Sequence, residues 1–168
     1  MKGSWVVEPL TKAHLRDDFD CGSPELDEYL RKFARQNHDS GVARTFVAVG
    51  DGGKVLGYYS LAAGSLSKEN LPRNQEKRLP KFPLPILRLA RLAVTREEQG
   101  KGLGEYLLMD ALHRCLLVSE EVGFIAVVID AKDEVAKNFY QRYDFDTLPG
   151  QPLTLWLPRS ALMCFFAE

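Results

Sequence analysis

The sequence predicts an α/β (α+β) fold, with a mixed central β-sheet flanked by helices in a single domain covering residues 1–168. Three observations carry that expectation. Residues 86–94 are apolar on both faces except for Arg88 and Arg91, the pattern of a strand buried in mid-sheet. A glycine-rich turn, Gln99-Gly100-Lys101-Gly102-Leu103-Gly104, follows shortly afterwards. Beyond it Leu107, Leu108, Ala111, Leu112, Cys115 and Val118 recur at helical spacing. Upstream, β-prone runs at residues 45–49 and 55–62 flank Asp51-Gly52-Gly53, the composition of a hairpin.

The elements are expected in the following order. Trp5-Val6-Val7 is a short β-prone run that ends before Pro9. Ser23-Pro24 starts a helix, with serine as N-cap and proline at the first helical position. Leu26, Tyr29, Leu30, Phe33 and Ala34 form its buried face, and Gly41 stands where it ends. After the hairpin, residues 64–85 read as one long irregular stretch with four prolines and the cations Lys68, Arg73, Lys77, Arg78 and Lys81. Loops of that length in a compact domain usually serve function or move. Residues 125–129 are a second buried strand, and 134–143 suit a helix with Ala136, Phe139, Tyr140 and Tyr143 on one side. Residues 154–157 are a last strand closed by Pro158, and the apolar residues 163–166 are expected as a packed tail.

Bulk properties narrow the function. The net charge is −1, so the chain is no uniformly basic nucleic-acid binder, although a local basic patch is compatible with that total. The cysteines, Cys21, Cys115 and Cys164, show no paired spacing, and no Cys/His cluster occurs, so no metal site is expected. They read as reduced, buried thiols. Nothing resembles a signal peptide, and no apolar run approaches the roughly 18 residues that cross a bilayer. The expected location is the cytoplasm.

The glycine turn carries the chemistry. Glycines at alternate positions let the backbone turn tightly and bring its N–H groups to an anion, and the following helix adds the positive end of its dipole. A diphosphate suits such a turn. The P-loop pattern fails because Lys101 is followed by Gly102 rather than Ser or Thr, and the dinucleotide pattern fails because the spacing is G-x-G-x-G. By itself the turn also fits a mere strand-to-helix connection.

Gln99-x-x-Gly102-x-Gly104, preceded by Arg91-Leu92-Ala93-Val94, resembles motif A of the GNAT family of N-acetyltransferases, and the order of elements resembles that family along essentially the whole chain. Ala136-x-x-Phe139-Tyr140-x-x-x-Asp144-Phe145 is similar to a second family segment, with Asp144 where glycine is usual and Asp133 where many relatives carry asparagine. The resemblance implies acetyl-CoA as donor and CoA as product. It implies cofactor contacts from Leu92, Ala93, Val94, Gln99, Gly100, Lys101, Gly102, Leu103, Gly104 and Asn138, and a proton-donating role for Tyr140 beside the CoA sulfur. Without it, Tyr140 reads as an aromatic core residue. Aspartate tolerates a left-handed turn better than most residues, so the backbone at position 144 is expected to survive.

Glu97, Glu98, Asp130 and Asp133 are available as proton acceptors, but each reads equally as a solvated charge, and no Ser/His/Asp or Cys/His set is present. Direct transfer without an acyl-enzyme is the expectation. Phe19-Asp20-Cys21-Gly22, Leu26-Asp27-Glu28-Tyr29-Leu30, Ala43-Arg44-Thr45-Phe46-Val47 and Gly57-Tyr58-Tyr59-Ser60 resemble one subgroup, the acetyltransferase toxins of bacterial type II toxin–antitoxin modules. That narrower resemblance implies acetylation of the α-amine on aminoacyl-tRNA, a ribbon-helix-helix antitoxin as partner, and a homodimer. Arg44, Lys77, Arg78, Lys81 and Arg91 are the cations expected against tRNA phosphates, helped by Arg73 and Arg88. Two other functions remain. One is a small-amine or protein N-acetyltransferase, for which the acidic residues among positions 16–28 would form a groove. The other is a non-catalytic module that binds CoA or a partner.

Overall fold

The computed structural model describes residues 4–72, 79–80 and 83–167. Its strands are β1 (Val6–Pro9), β2 (Arg44–Val49), β3 (Val55–Leu66), β4 (Leu84–Val94), β5 (Ala126–Asp130), β6 (Asp146–Leu148) and β7 (Gln151–Pro158). They form one seven-stranded sheet in the order β1-β2-β3-β4-β5-β7-β6. The sheet is mixed: β4 runs parallel to β5, while β1 with β2, β2 with β3, β5 with β7 and β6 with β7 are antiparallel. The predicted α/β class is therefore observed. The helices are α1 (Pro24–Glu28), α2 (Ala34–Ser40), α3 (Leu103–Ser119), α4 (Glu134–Gln141) and α5 (Arg159–Phe165).

Contacts divide the chain into two compact units, Met1–Ala62 with Ala90–Leu112, and Ala63–Leu89 with His113–Glu168. The core of the first gathers Leu10, Phe19, Tyr29, Leu30, Val47 and Tyr58. That of the second gathers Leu66, Leu84, Ile86, Val128, Leu148 and Trp156.

Several expectations are corrected. The helix expected from Ser23 to Gly41 is observed, but it carries a π-helical segment at Tyr29–Phe33 in which Tyr29 and Leu30 are buried. Phe33, expected on the buried face, is 48% exposed. The irregular stretch is shorter than 64–85, because β3 extends to Leu66 and β4 begins at Leu84. The helix expected to reach residue 143 ends at Gln141. The short strand β6 makes a hairpin with β7 that three residues of sequence pattern do not announce. The tail at 163–166 belongs largely to α5, where Cys164 is exposed rather than buried.

Gly57 in β3 explains how α3 seats on the first unit. A Cβ there would stand 2.8 Å from Leu107 Cδ1 and 3.0 Å from the Ala93 carbonyl oxygen. The backbone oxygen cannot swing aside as a side-chain terminus can. Gly57→Ala is therefore expected to cost about 1–3 kcal/mol of stability through overpacking. Urea denaturation measures this; a midpoint equal to wild type would mean that helix and strand separate freely there.

Candidate active site

In the first unit, β4 delivers the chain into a 3₁₀ turn at Arg96–Glu98, then through residues 99–102 into α3. The ladder between β4 and β5 runs only from Leu87 with Val127 to Leu89 with Ile129. Leu92, Ala93 and Val94 lie beyond its end, on the stretch of β4 that leads to the turn. Gly100 and Gly102 have φ values of 80° and 93°, and no atom lies within 4 Å of where a Cβ would stand on either. Both positions thus face open space, in a backbone conformation that favours glycine. Gly102 O accepts from Tyr106 N at 3.1 Å, so helical bonding starts at the turn itself. The first N–H groups of a helix have no carbonyl behind them and carry its positive pole. Gly102, Leu103 and Gly104 occupy that end, with Lys101 paired to Glu98 at 3.6 Å beside it. These features fit a diphosphate.

The turn is held from behind. Gln99 donates its carboxamide to the carbonyls of Val94 at 2.9 Å and Cys21 at 3.0 Å, and its N–H goes to Arg96 O at 3.2 Å. Gln99 is therefore a brace, with its donors spent on the protein, whereas the sequence marked it as a ligand contact. Arg96 N donates to Asp20 O at 2.8 Å, the Arg96 side chain meets the Asp20 carboxylate at 3.1 Å, and Asp20 N donates to Thr95 Oγ1 at 3.2 Å. Buried Asp27 accepts from Cys21 N at 2.9 Å. In sequence, residues 19–22 show only a likeness to the toxin subgroup. Their positioning role is visible only once residues 75 or more apart in the chain are seen bonded. The same bonds occupy Asp20 and Asp27, two of the carboxylates expected to form an acidic groove, and Glu28 pairs with Lys32 at 3.7 Å.

The second unit presents Tyr140 on α4. Asp133 caps this helix, its carboxylate accepting from Ala136 N at 2.8 Å, so the residue that replaces the usual asparagine works as an N-cap. Tyr140 is 7% exposed, with its ring centroid 5.3 Å from that of Phe139 and 6.0 Å from that of Phe145. Burial pushes the phenol above its ordinary value of 10, so it stays protonated through the physiological range. Its hydroxyl makes no hydrogen bond to any described residue. Beyond the helix Asp144 has φ 69°, the left-handed conformation expected there and the sole non-glycine case among the described residues. Asn138 is exposed on the same helix.

The expected RNA-facing cations divide four ways. Arg44 is exposed and donates to His38 O at 3.0 Å. Arg91 lies with its guanidinium carbon 3.5 Å from the centre of the Tyr29 ring. Lys77, Arg78 and Lys81, like Arg73, fall outside the described residues. Arg88 is spoken for by Asp130, which also accepts from Thr154 Oγ1 at 3.0 Å. Among the described residues no group of three or more His, Cys, Asp or Glu is placed to hold a metal. No helix among them is long and apolar enough to cross a membrane.

Residues 42–147 match the family model described as "Acetyltransferase (GNAT) domain". The chain belongs to the GNAT acetyltransferase family. This acetyltransferase is 43% identical over 157 residues to the tRNA-acetylating toxin of Mycobacterium tuberculosis (strain ATCC 25618 / H37Rv), covering 94% of this chain and 93% of the relative. The solved structure of AtaT complexed with acetyl-methionyl-tRNAfMet matches with a TM-score of 0.90 at 27% identity, over 98% of this chain and all of that one (100%). The crystal structure of AtaTR bound with AcCoA matches with a TM-score of 0.85 at 28% identity, over 96% of this chain and 98% of that one.

Proposed function

We propose that this enzyme transfers acetyl from acetyl-CoA to the α-amine of aminoacyl-tRNA and so stops translation. The observation that carries this reading is the likeness to a tRNA-acetylating toxin over nearly the full length of both chains. In this reading the turn amides from Gly100 to Gly104 and Lys101 take the pyrophosphate. The backbone of Leu92, Ala93 and Val94 takes the pantetheine arm, with Asn138 as a further contact. Bound acetyl-CoA supplies an acetyl group activated as a thioester and leaves as the thiol.

The neutral amine attacks the thioester carbonyl, the carbon–sulfur bond breaks, and Tyr140 gives its hydroxyl proton to the departing sulfur. The proton shed by the amine passes through solvent and restores the phenol. An α-amine with a pKa near ~8 has a usable neutral fraction at pH 7, so no strong general base is required. N–H groups of β4 near Ala93 stabilise the negative oxygen that develops on the carbonyl. The capped helix and the buried ring support this role, because they hold a protonated phenol in one place.

We further infer that the chain acts as one domain. The boundaries between its two contact units fall inside β3, β4 and α3, leaving no linker at which to part them. A translation-blocking enzyme must be restrained in the cytoplasm that makes it. A ribbon-helix-helix antitoxin and a homodimer complete the proposal, with Arg44, Arg91, Lys77, Arg78 and Lys81 toward RNA. A small-amine acetyltransferase is less well supported, since Asp20, Asp27 and Glu28, three of the six acidic residues expected in its groove, are engaged within the protein.

The deciding experiment is cell-free translation with purified protein, with and without acetyl-CoA. Acetyl-CoA-dependent arrest and an acetylated aminoacyl-tRNA by mass spectrometry are expected. Continued translation, with acetyl appearing on small amines or proteins, would overturn the tRNA reading.

A further inference from the structure

The second unit carries a polar row that the proton donor and the glycine turn leave unused. Arg88 on β4 pairs with Asp130 at the end of β5, and Thr154 on β7 donates its hydroxyl to the other oxygen of that carboxylate at 3.0 Å. The three residues cross neighbouring strands where the β4–β5 ladder ends, at Leu89 with Ile129. Ile86, Val128 and Trp156 stand two positions away on the same strands and are buried in the core. Strand alternation therefore puts the polar row on the face of that core, at its rim. The side chains of Arg88 and Asp130 are nevertheless 31% and 55% exposed, so the pair is open to an incoming molecule. Gly64 on β3 lies alongside, where a Cβ would come within 3.9 Å of Arg88 Nε, and leaves that flank clear. Helix α4, which carries Tyr140, follows Asp130 through residues 131–133 alone. Other charges of the surrounding elements are engaged or distant. Lys137 meets Glu134 at 3.8 Å, Asp133 caps α4, and Arg91 is stacked on Tyr29. Lys132 is exposed, β3 and β7 carry no charge, and Arg159 of α5 stands at the Ile125 end of β5.

An Arg–Asp pair is neutral as a unit, yet both members keep hydrogen-bonding capacity. Each carboxylate oxygen has a second lone pair, and among the described residues the guanidinium spends a single N–H. We propose that Arg88 and Asp130 receive the α-amino carbonyl group of the acceptor, Asp130 accepting a hydrogen bond from the amine and Arg88 donating to the adjacent carbonyl oxygen. The proposal rests on the acetyl-transfer reading above. In an α-amino ester or amide the nitrogen and the carbonyl oxygen sit on adjacent carbons, so an acceptor and a donor held side by side read both. The side-chain amine of lysine has no carbonyl beside it and engages only half of the pair. Neutrality matters to the chemistry. A lone carboxylate would hold the amine as ammonium, which cannot attack, and a lone guanidinium would repel that charged form. Together they orient the amine without fixing its charge.

The test is the pH dependence of kcat at saturating acetyl-CoA, with bulk tRNA charged with mixed amino acids and with alaninamide as acceptors. Asp130→Asn leaves the guanidinium uncompensated and favours the neutral amine, so the midpoint of the rise is expected about half a pH unit or more below wild type. Arg88→Gln leaves the carboxylate uncompensated, and the midpoint is expected to move about as far upward. Arg88→Lys keeps the charge and is expected to hold the wild-type midpoint. In both of the first two variants the KM for the acceptor should rise about ten-fold while that for acetyl-CoA stays put. Thermal midpoints should match wild type, since an exposed ion pair adds little to stability. A purely structural pair would give shifts of one sign or none. Midpoints that coincide with wild type, or that move in the same direction, would overturn the proposal. Opposite shifts with alaninamide, from an enzyme that leaves charged tRNA unmodified, would uphold the pair and refute the tRNA reading. Acetylation of neither acceptor would overturn both.

Discussion

Tyr140→Phe is expected to lower kcat for acetyl transfer by a factor on the order of 10²–10³, the contribution of a positioned proton donor. Stability should barely change. The ring stays packed against Phe139 and Phe145, and the lost hydroxyl has no bond to a described residue. Tyr140→Ala, by contrast, would empty an aromatic site and cost about 3–5 kcal/mol, so only the phenylalanine variant isolates chemistry from folding. Steady-state kinetics and thermal melts of the two variants make the comparison.

The pH profile adds a sign. Burial raises the phenol, so the donor form persists through and beyond neutral pH, and activity should climb as the substrate amine loses its proton near pH ~8. A fall in rate between pH 7 and 9 that Tyr140→Phe abolishes would keep the acid role but overturn the upward shift of the phenol, because it would mean that the donor ionises near or below its ordinary value.

Gly102→Val should cripple acetyl-CoA binding, raising its KM at least ten-fold. A β-branched residue at φ 93° strains the backbone by about 1–3 kcal/mol, and its side chain would occupy the open space beside the turn. Nothing in the protein lies within 4 Å of that position, so the side chain would meet no part of the fold, and lost binding would mean that it meets the pyrophosphate of the proposed site. At acetyl-CoA 100-fold above its Kd, ligand stabilisation of wild type is worth about 2.7 kcal/mol, and the variant should lose most of that increment in a melting experiment. An undiminished ligand-induced rise in Tm would place the pyrophosphate elsewhere. Gly100→Val, at φ 80° with the same empty surroundings, should behave alike.

Much of this protein was legible in the order of its residues. The buried strand, the glycine turn and the amphipathic helix after it are local patterns, because strand burial, positive φ and helical spacing are set by neighbours in sequence. Asp144 could be assigned a left-handed conformation for the same reason, since the intrinsic tolerance of aspartate does not depend on the fold. The motif at Gln99, Gly102 and Gly104 then pointed to the family.

What sequence did not reveal depends on contacts between distant residues. Gln99 reads as part of a ligand motif, yet it acts as a brace because Cys21 O and Val94 O lie within its reach. The carboxylates of Asp20 and Asp27 read as part of a free groove until Arg96 and the Cys21 N–H are seen to engage them. The π-helical segment is invisible to a helical wheel, because the wheel assumes one hydrogen-bond spacing throughout. The local sequence determined the fold class, the turn and its chemistry, since these follow from short-range backbone preference and side-chain periodicity. Only the tertiary structure decided which polar groups remain available to a ligand, because hydrogen-bonding capacity is finite and partners far apart in the chain claim it first.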